Sequence, residues 1–186
     1  WRDLKEWGGR GRGAGGGGRS CPMAAPRFRL PAMKIAIGSD ERTYVTDAVM
    51  AELRRRGHVL LPVGPLDDGR EGDSWPAVAG AVAEAVGGSA ADEGILFCWP
   101  GTGGCMAANK LPGIRAALCD DAETARGARL WNNANVLCLS LRRTSEVMAK
   151  EILDMWFDTS FAPNETDDAC LAQLDELEKK WIVGSG

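Results

Sequence analysis

One short stretch gathers residue types that can do chemistry: the cysteine, glycines and threonine of Cys98-Trp-Pro-Gly-Thr-Gly-Gly104. A thiol serves as base or nucleophile in its thiolate form, and a turn that aims backbone N–H groups at sulfur favours that form. Glycine turns that open into a helix leave such N–H groups unspent, with the positive end of the helix behind them, and so receive anions. Ahead of the turn, the apolar run Ile95-Leu-Phe-Cys98 reads as a buried strand. After it, Cys105-Met-Ala-Ala-Asn109 is small and compatible with a helix. The layout places a base or nucleophile beside an anion hole. The competing reading is a buried structural cysteine before an ordinary βα loop, because free cysteine is among the most buried residue types.

The elements that must hold this stretch alternate regularly from Met33 onward. Lys34-Ile-Ala-Ile-Gly38 predicts a first strand, ending in the polar turn Ser39-Asp-Glu-Arg-Thr43, with a helix over about 45–56. A second strand is expected over 58–63, and a Gly/Asp-rich loop over 64–73 leads to a helix over about 76–86 with Pro76 in its first turn. The chemistry-bearing strand is third. A fourth is expected over 114–119, a helix over about 121–131, a fifth strand over 135–139, and helices over about 145–157 and 168–181. Strands separated by helical patterns imply βαβ units and a parallel sheet covered on both faces. The expected architecture is α/β: a three-layer, doubly wound, five-stranded parallel sheet of Rossmann-like order 2-1-3-4-5 with a C-terminal helix. Ligands of such sheets bind beyond the strand C-termini, where neighbouring connections leave to opposite faces. With that order the crevice lies between strands 1 and 3, bringing the turn of Asp40, Glu41 and Arg42 beside the Cys98 turn.

Composition narrows the class. The chain has 186 residues, enough for one domain with a sizeable core. A formal net charge of −4 gives no support to nucleic-acid binding, and no apolar run approaches the roughly 18 residues of a membrane span. The six cysteines (21, 98, 105, 119, 138 and 170) form no CxxC pair and accompany a single histidine, so zinc spacing is absent and no metal is expected. Reduced, buried thiols fit a cytoplasmic protein. Residues 1–32 hold Gly8-Gly-Arg-Gly-Arg-Gly-Ala-Gly-Gly-Gly-Gly18 without hydrophobic period and without the apolar core of a signal peptide. They are expected to be a disordered extension, added or lying upstream of the true start, with the folded unit spanning 33–183.

Several linked motifs, in order, resemble the family of ribose-5-phosphate isomerase type B and the galactose-6-phosphate isomerase subunits. They are Met33-Lys-Ile-Ala-Ile-Gly-Ser-Asp40, Gly94-Ile-Leu-Phe-Cys98, Ala107-Ala-Asn-Lys110, Pro112-Gly-Ile-Arg-Ala-Ala-Leu-Cys119, Thr124-Ala-Arg126 and Asn132-Asn-Ala-Asn-Val136. The resemblance runs from about Met33 to Phe161. It implies a cofactor-free, metal-free aldose–ketose isomerase working through an enediolate on a sugar or sugar phosphate, and a homodimer or tetramer with active sites at the subunit interface. It further implies Cys98 as the base and the amides of Gly101, Thr102, Gly103 and Gly104 as the anion hole. Asp40 matches an Asp that contacts substrate hydroxyls, Asn132 a substrate-contacting Asn, and Arg142 an Arg associated with phosphate; Asn109 and Lys110 match too, as contacts or as helix-end structural residues. Trp75 matches an aromatic that walls the site.

The departures point to a changed substrate. Glu41 stands where the family has His after the Asp. Trp99-Pro-Gly intervenes after Cys98, so Gly101-Thr-Gly103 arrives two positions late and Thr102 is expected to do the work of the displaced threonine. Trp131 replaces the His credited with ring opening. Glu165 and Asp168 stand in the segment where the family carries phosphate-gripping cations, leaving Arg142, and Arg42 as a further candidate, for phosphate. A short open-chain sugar phosphate would need no ring opening, and an unphosphorylated sugar would need no arginines. His58 and Cys105 read as structural. Two rival classes remain: a non-catalytic sugar-binding or sensing homologue, and a nucleotide-binding module suggested by glycines followed roughly 20 residues on by Asp120 and Asp121. Against the latter, the glycines follow the third strand and GxGxxG is not met.

Overall fold

The computed structural model describes residues 31–67 and 72–182. The glycine/arginine tract and part of the 64–73 loop lie outside the described residues. Within them, five strands form one parallel sheet: β1 (Lys34–Ser39), β2 (Val59–Val63), β3 (Glu93–Cys98), β4 (Ala116–Leu118) and β5 (Val136–Ser140). They alternate with α1 (Tyr44–Arg56), α2 (Trp75–Gly87), α3 (Thr102–Ala108), α4 (Ala122–Asn132) and α5 (Glu146–Asp158), and α6 (Glu165–Ile182) follows.

The α/β, Rossmann-like class expected from the alternation is the one found, with one correction at an edge. The strand order is β2-β1-β3-β5-β4, not 2-1-3-4-5. The reason lies in burial. All five residues of β5 are buried, as suits an inner strand with a neighbour on each side. β4 is three residues long and only partly buried, so it takes the edge. β5 thereby becomes the neighbour of β3, with Ser140 directly beside Cys98.

Alternation along the strands sorts the core into two layers. Ile35, Ile37, Ile95, Phe97, Leu137 and Leu139 face α1, α4 and α5, while Ala36, Leu96, Val136 and Cys138 face α2 and α3. The connection after β1 leaves to the first layer and that after β3 to the second, as right-handed crossovers require. The ligand-receiving crevice between β1 and β3 is therefore kept despite the altered edge.

Local chemistry sets the helix ends. Thr43 and Thr46 form a reciprocal capping pair at the start of α1, and Gly57 closes it in the left-handed region at φ 94°. Asp121 and Ser145 accept backbone N–H bonds at the starts of α4 and α5, each cap stabilising by about 1 kcal/mol. Trp156 is wholly buried, and its indole N–H donates to Glu93 at 2.6 Å while Arg129 pairs with the same carboxylate at 2.7 Å. That network ties β3, α4 and α5 together at the N-terminal end of the sheet. His58, read as structural, accepts the Met33 N–H and stacks on Phe157 at 4.8 Å.

Candidate active site

Cys98 is the last residue of β3, and the strand's alternation turns its side chain toward α3, where it is buried. The Gly104 N–H donates to its Sγ at 3.3 Å. The turn between them is built on Gly101, whose N–H donates to the Cys98 carbonyl at 3.0 Å and whose φ is 84°. A Cβ at Gly101 would also stand 2.4 Å from Leu118 Cδ1, so only glycine fits. Two of the four amides expected to face an anion, those of Gly101 and Gly104, are thus taken up inside the turn. Those of Thr102 and Gly103 open α3 ahead of its own hydrogen-bond ladder.

Tryptophans flank the turn. Trp75, at the start of α2, lies against Gly103 so closely that a Cβ there would stand 3.2 Å from its ring. The rest of the indole remains exposed. Trp99, next to Cys98 in the chain, is exposed. Its carbonyl accepts from Ser140 Oγ and from the Arg142 N–H, both at 3.0 Å, and the Leu141 N–H donates to the Cys98 carbonyl at 3.1 Å. These bonds seat Arg142 next to the Cys98 turn. Ser140 and Trp99 were not singled out in the sequence; Ser140 shares with Cys98 the last position of an apolar strand, but only the register makes them neighbours.

Across the crevice, β1 stays in register with β3 up to Ser39 opposite Phe97, which brings Asp40 alongside Cys98. Asp40 Oδ1 is buried and has no hydrogen-bond partner among the described residues. A buried carboxylate oxygen left unpartnered is costly unless a ligand satisfies it. Glu41 is exposed, its N–H and carbonyl both tied to the Ser39 hydroxyl. Arg42 is paired with Asp47 at 2.8 Å at the start of α1.

The remaining expected residues are elsewhere. Asn109 ends α3 and is committed to the edge strand: its amide donates to the Ala116 carbonyl and its oxygen accepts the Ala116 N–H, both at 2.9 Å. These bonds give Asn109 a helix-end structural role. Trp131 and Asn132 end α4, which begins at the C-terminal end of the sheet and runs back over about 16 Å. Both are exposed at the N-terminal end, Trp131 lying over Gly127 with the Arg126 guanidinium 5.8 Å from its ring. With Asn109, Leu171 and Leu174 they line a groove of about 560 Å³ beneath α6. Glu165, Asp167 and Asp168 lie in the first turn of α6, where carboxylates suit the helix dipole, and Asn164 caps the Asp167 N–H at 3.0 Å.

The fold and this crevice define a sugar-isomerase class, and comparison with known proteins agrees. The ribose/galactose isomerase family model matches residues 35–174, and the chain belongs to that family of aldose–ketose isomerases. It is 36% identical over 130 residues to a D-erythrulose-4-phosphate isomerase of Pectobacterium atrosepticum, covering 69% of this chain and 85% of that one. It is 34% identical over 146 residues to the galactose-6-phosphate isomerase subunit LacB of Clostridium acetobutylicum, covering 78% and 83%. Among solved structures, ribose-5-phosphate isomerase B of Clostridium thermocellum superposes with a TM-score of 0.74 at 37% identity, covering 80% of this chain and 99% of that one. No helix among the described residues is long and apolar enough to cross a membrane.

Proposed function

We propose that the chain interconverts an aldose phosphate and its ketose through an enediolate, with Cys98 as the base. The Cys98 thiolate takes the proton from the carbon beside the carbonyl and returns it to the neighbouring carbon. Negative charge developing on the carbonyl oxygen is received by the Thr102 and Gly103 amides, a kind of donor whose loss costs about 10²–10³ in rate. Asp40 holds a substrate hydroxyl, Trp75 walls the crevice, and Arg142 takes the phosphate. The observation that carries this reading is the unpartnered Asp40 Oδ1 beside a buried Cys98 whose sulfur already accepts a backbone N–H.

Trp131 and Asn132 lie about one helix length from Cys98 in the same chain, so they serve the reaction only by entering the crevice of a second copy. A homodimer across that crevice meets the need. Nothing in the crevice is a histidine, the sole one being packed on Phe157. A four-carbon sugar phosphate cannot close the usual phosphate-bearing ring, so it makes ring opening unnecessary, and the likeness to the erythrulose-phosphate enzyme favours it. The compartment in keeping with five free thiols among the described residues is the cytoplasm.

The test is a panel of tetroses, pentoses and hexoses, each with and without phosphate, followed by NMR. The highest kcat/KM is expected for a four-carbon phosphate. A ribose 5-phosphate value equal to or above every other would show unchanged specificity. Sugar binding without turnover or solvent proton exchange at C2 would favour the sensing homologue instead.

A further inference from the structure

At the N-terminal end of the sheet, a side chain outside the crevice holds the stretch that carries Asn132. Arg129 lies in α4, three residues before Asn132, and its side chain is only 18% exposed. Each nitrogen of its guanidinium meets a different segment. Nη2 pairs with Glu93 of β3 at 2.7 Å, and Nη1 donates to the Ala134 carbonyl at 2.6 Å. Nε donates to the Thr159 carbonyl at 3.4 Å, and the central carbon lies over the Trp156 ring, 5.0 Å from its centre. Glu93 is fixed in turn by the Trp156 indole N–H at 2.6 Å.

What the guanidinium grips is the turn that ends α4. Asn133 stands in the left-handed region at φ 46°, the usual way for a helix to stop. The Ala134 N–H donates back to the Ala128 carbonyl at 3.0 Å while its own carbonyl is held by Arg129, so both backbone groups of Ala134 are committed to α4. Arg115 Nε adds a 2.7 Å bond to the Asn133 carbonyl. Asn132, immediately before these anchored residues, is exposed and lines the groove under α6. Thr159 follows α5 and leads toward α6, so the same guanidinium also holds the chain that brings α6 to that groove.

We propose that Arg129 is a positioning residue for the isomerisation. It fixes Asn132 for the crevice of the second copy in the homodimer proposed above, on which this role depends, and touches no substrate itself. Charge-assisted bonds from a rigid, planar fork hold three segments in one geometry. Arg129→Lys keeps a cation for Glu93 but loses the fork, because a single ammonium cannot span Glu93, Ala134 and Thr159 together. The turn is then released, and a misplacement of about 1 Å at a substrate-contacting group costs about a hundredfold in rate.

The experiment uses the full chain and the four-carbon sugar phosphate. Arg129→Lys is expected to lower kcat/KM about a hundredfold, divided between kcat and KM as in Asn132→Ala, with cooperative thermal unfolding kept. Added to Asn132→Ala, it should cost no more than about twofold further, because the group it positions is gone. Refolded in equal mixture with Cys98→Ala, Arg129→Lys should regain roughly a quarter of wild-type activity, each mixed dimer joining one intact Cys98 to one intact Asn132 turn. Refolded with Asn132→Ala it should regain none, since both defects lie at the same end. The reverse pattern would place the effect on the crevice of Arg129's own chain and overturn the proposal. So would wild-type activity of Arg129→Lys, full additivity with Asn132→Ala, or recovery with neither partner while Cys98→Ala and Asn132→Ala restore each other. Failure of that last pair to restore each other would instead sink the homodimer, and this role with it. Should Arg129→Lys fold poorly, Arg129→Met with Glu93→Gln removes the buried charge together with its partner and is expected to give the same pattern.

Discussion

At the C-terminal end of the sheet, Asp40, Trp75, Cys98, the glycine turn and the Arg142 loop arrive from separate segments of one chain, and hydrogen bonds lock the Cys98 turn to the Arg142 loop. At the N-terminal end, Trp131 and Asn132 stand exposed over a groove under α6, beside an Asn109 that is already spent on β4. The first end holds the proposed base Cys98, the first two amides of α3 and an orphaned carboxylate oxygen, with Arg142 seated beside the turn. The second holds polar and aromatic groups with nothing reactive between them. Their contents are complementary, and the length of α4 keeps them apart in one chain. In the proposed dimer the site draws on both ends of the same sheet, one from each copy.

The largest effect expected is at the reactive end. Cys98→Ala should lower kcat by about 10²–10⁴, the usual contribution of a positioned base, while leaving the fold and sugar binding in place. Retention of more than about a tenth of wild-type kcat would move the base to Glu41 or Cys105.

Joining the ends can be tested directly. Cys98→Ala and Asn132→Ala, each poorly active alone, should regain roughly a quarter of wild-type activity when unfolded together and refolded as an equal mixture. Half of the dimers are then mixed, and each carries one whole site. No recovery, or a strictly monomeric active protein by sedimentation, breaks the comparison.

A smaller contrast separates two left-handed glycines. Gly101 has φ 84° and Leu118 in its way, whereas Gly113, at the other end, has φ 73° and open space. Gly101→Ala should cost about 2–5 kcal/mol, combining backbone strain with overpacking, and Gly113→Ala about 1–2 kcal/mol. Urea unfolding measures both, and equal costs would mean that the turn is not packed as described.

The mildest effect concerns pH at the N-terminal end. Burial first, and the charge of Arg56 second, hold the His58 imidazole below its ordinary value of 6.5. The folded chain then binds that proton less readily than the unfolded one, so stability is complete above pH 6.5 and falls as pH drops through 6.5 toward the folded value. His58→Gln should flatten that part of the stability–pH curve, measured by thermal unfolding between pH 7 and 5. An unchanged slope would place the titrating group elsewhere.

The chain's own sequence determined what depends on neighbours within a few positions. Period-2 apolar runs specified strands, period-3.6 patterns specified helices, and Gly101 and Pro76 marked a turn and a helix start, because these are short-range matters of sterics and local hydrogen bonding. Cys98 with its glycine turn was legible for the same reason: strand, turn and helix are contiguous. Strand order was not. Whether β4 or β5 lies inside depends on which strand is covered along its whole length, and that emerges only when helices from distant segments are packed. The same packing decided that Ser140 and Arg142 meet the Cys98 turn, that Asn109 is bound to β4, that the Gly101 and Gly104 amides are turned inward, and that Asn132 stands at the far end. Residue type names the chemistry a side chain can do, but its partners are set by contacts between segments tens of residues apart, which only the folded chain brings within hydrogen-bond range.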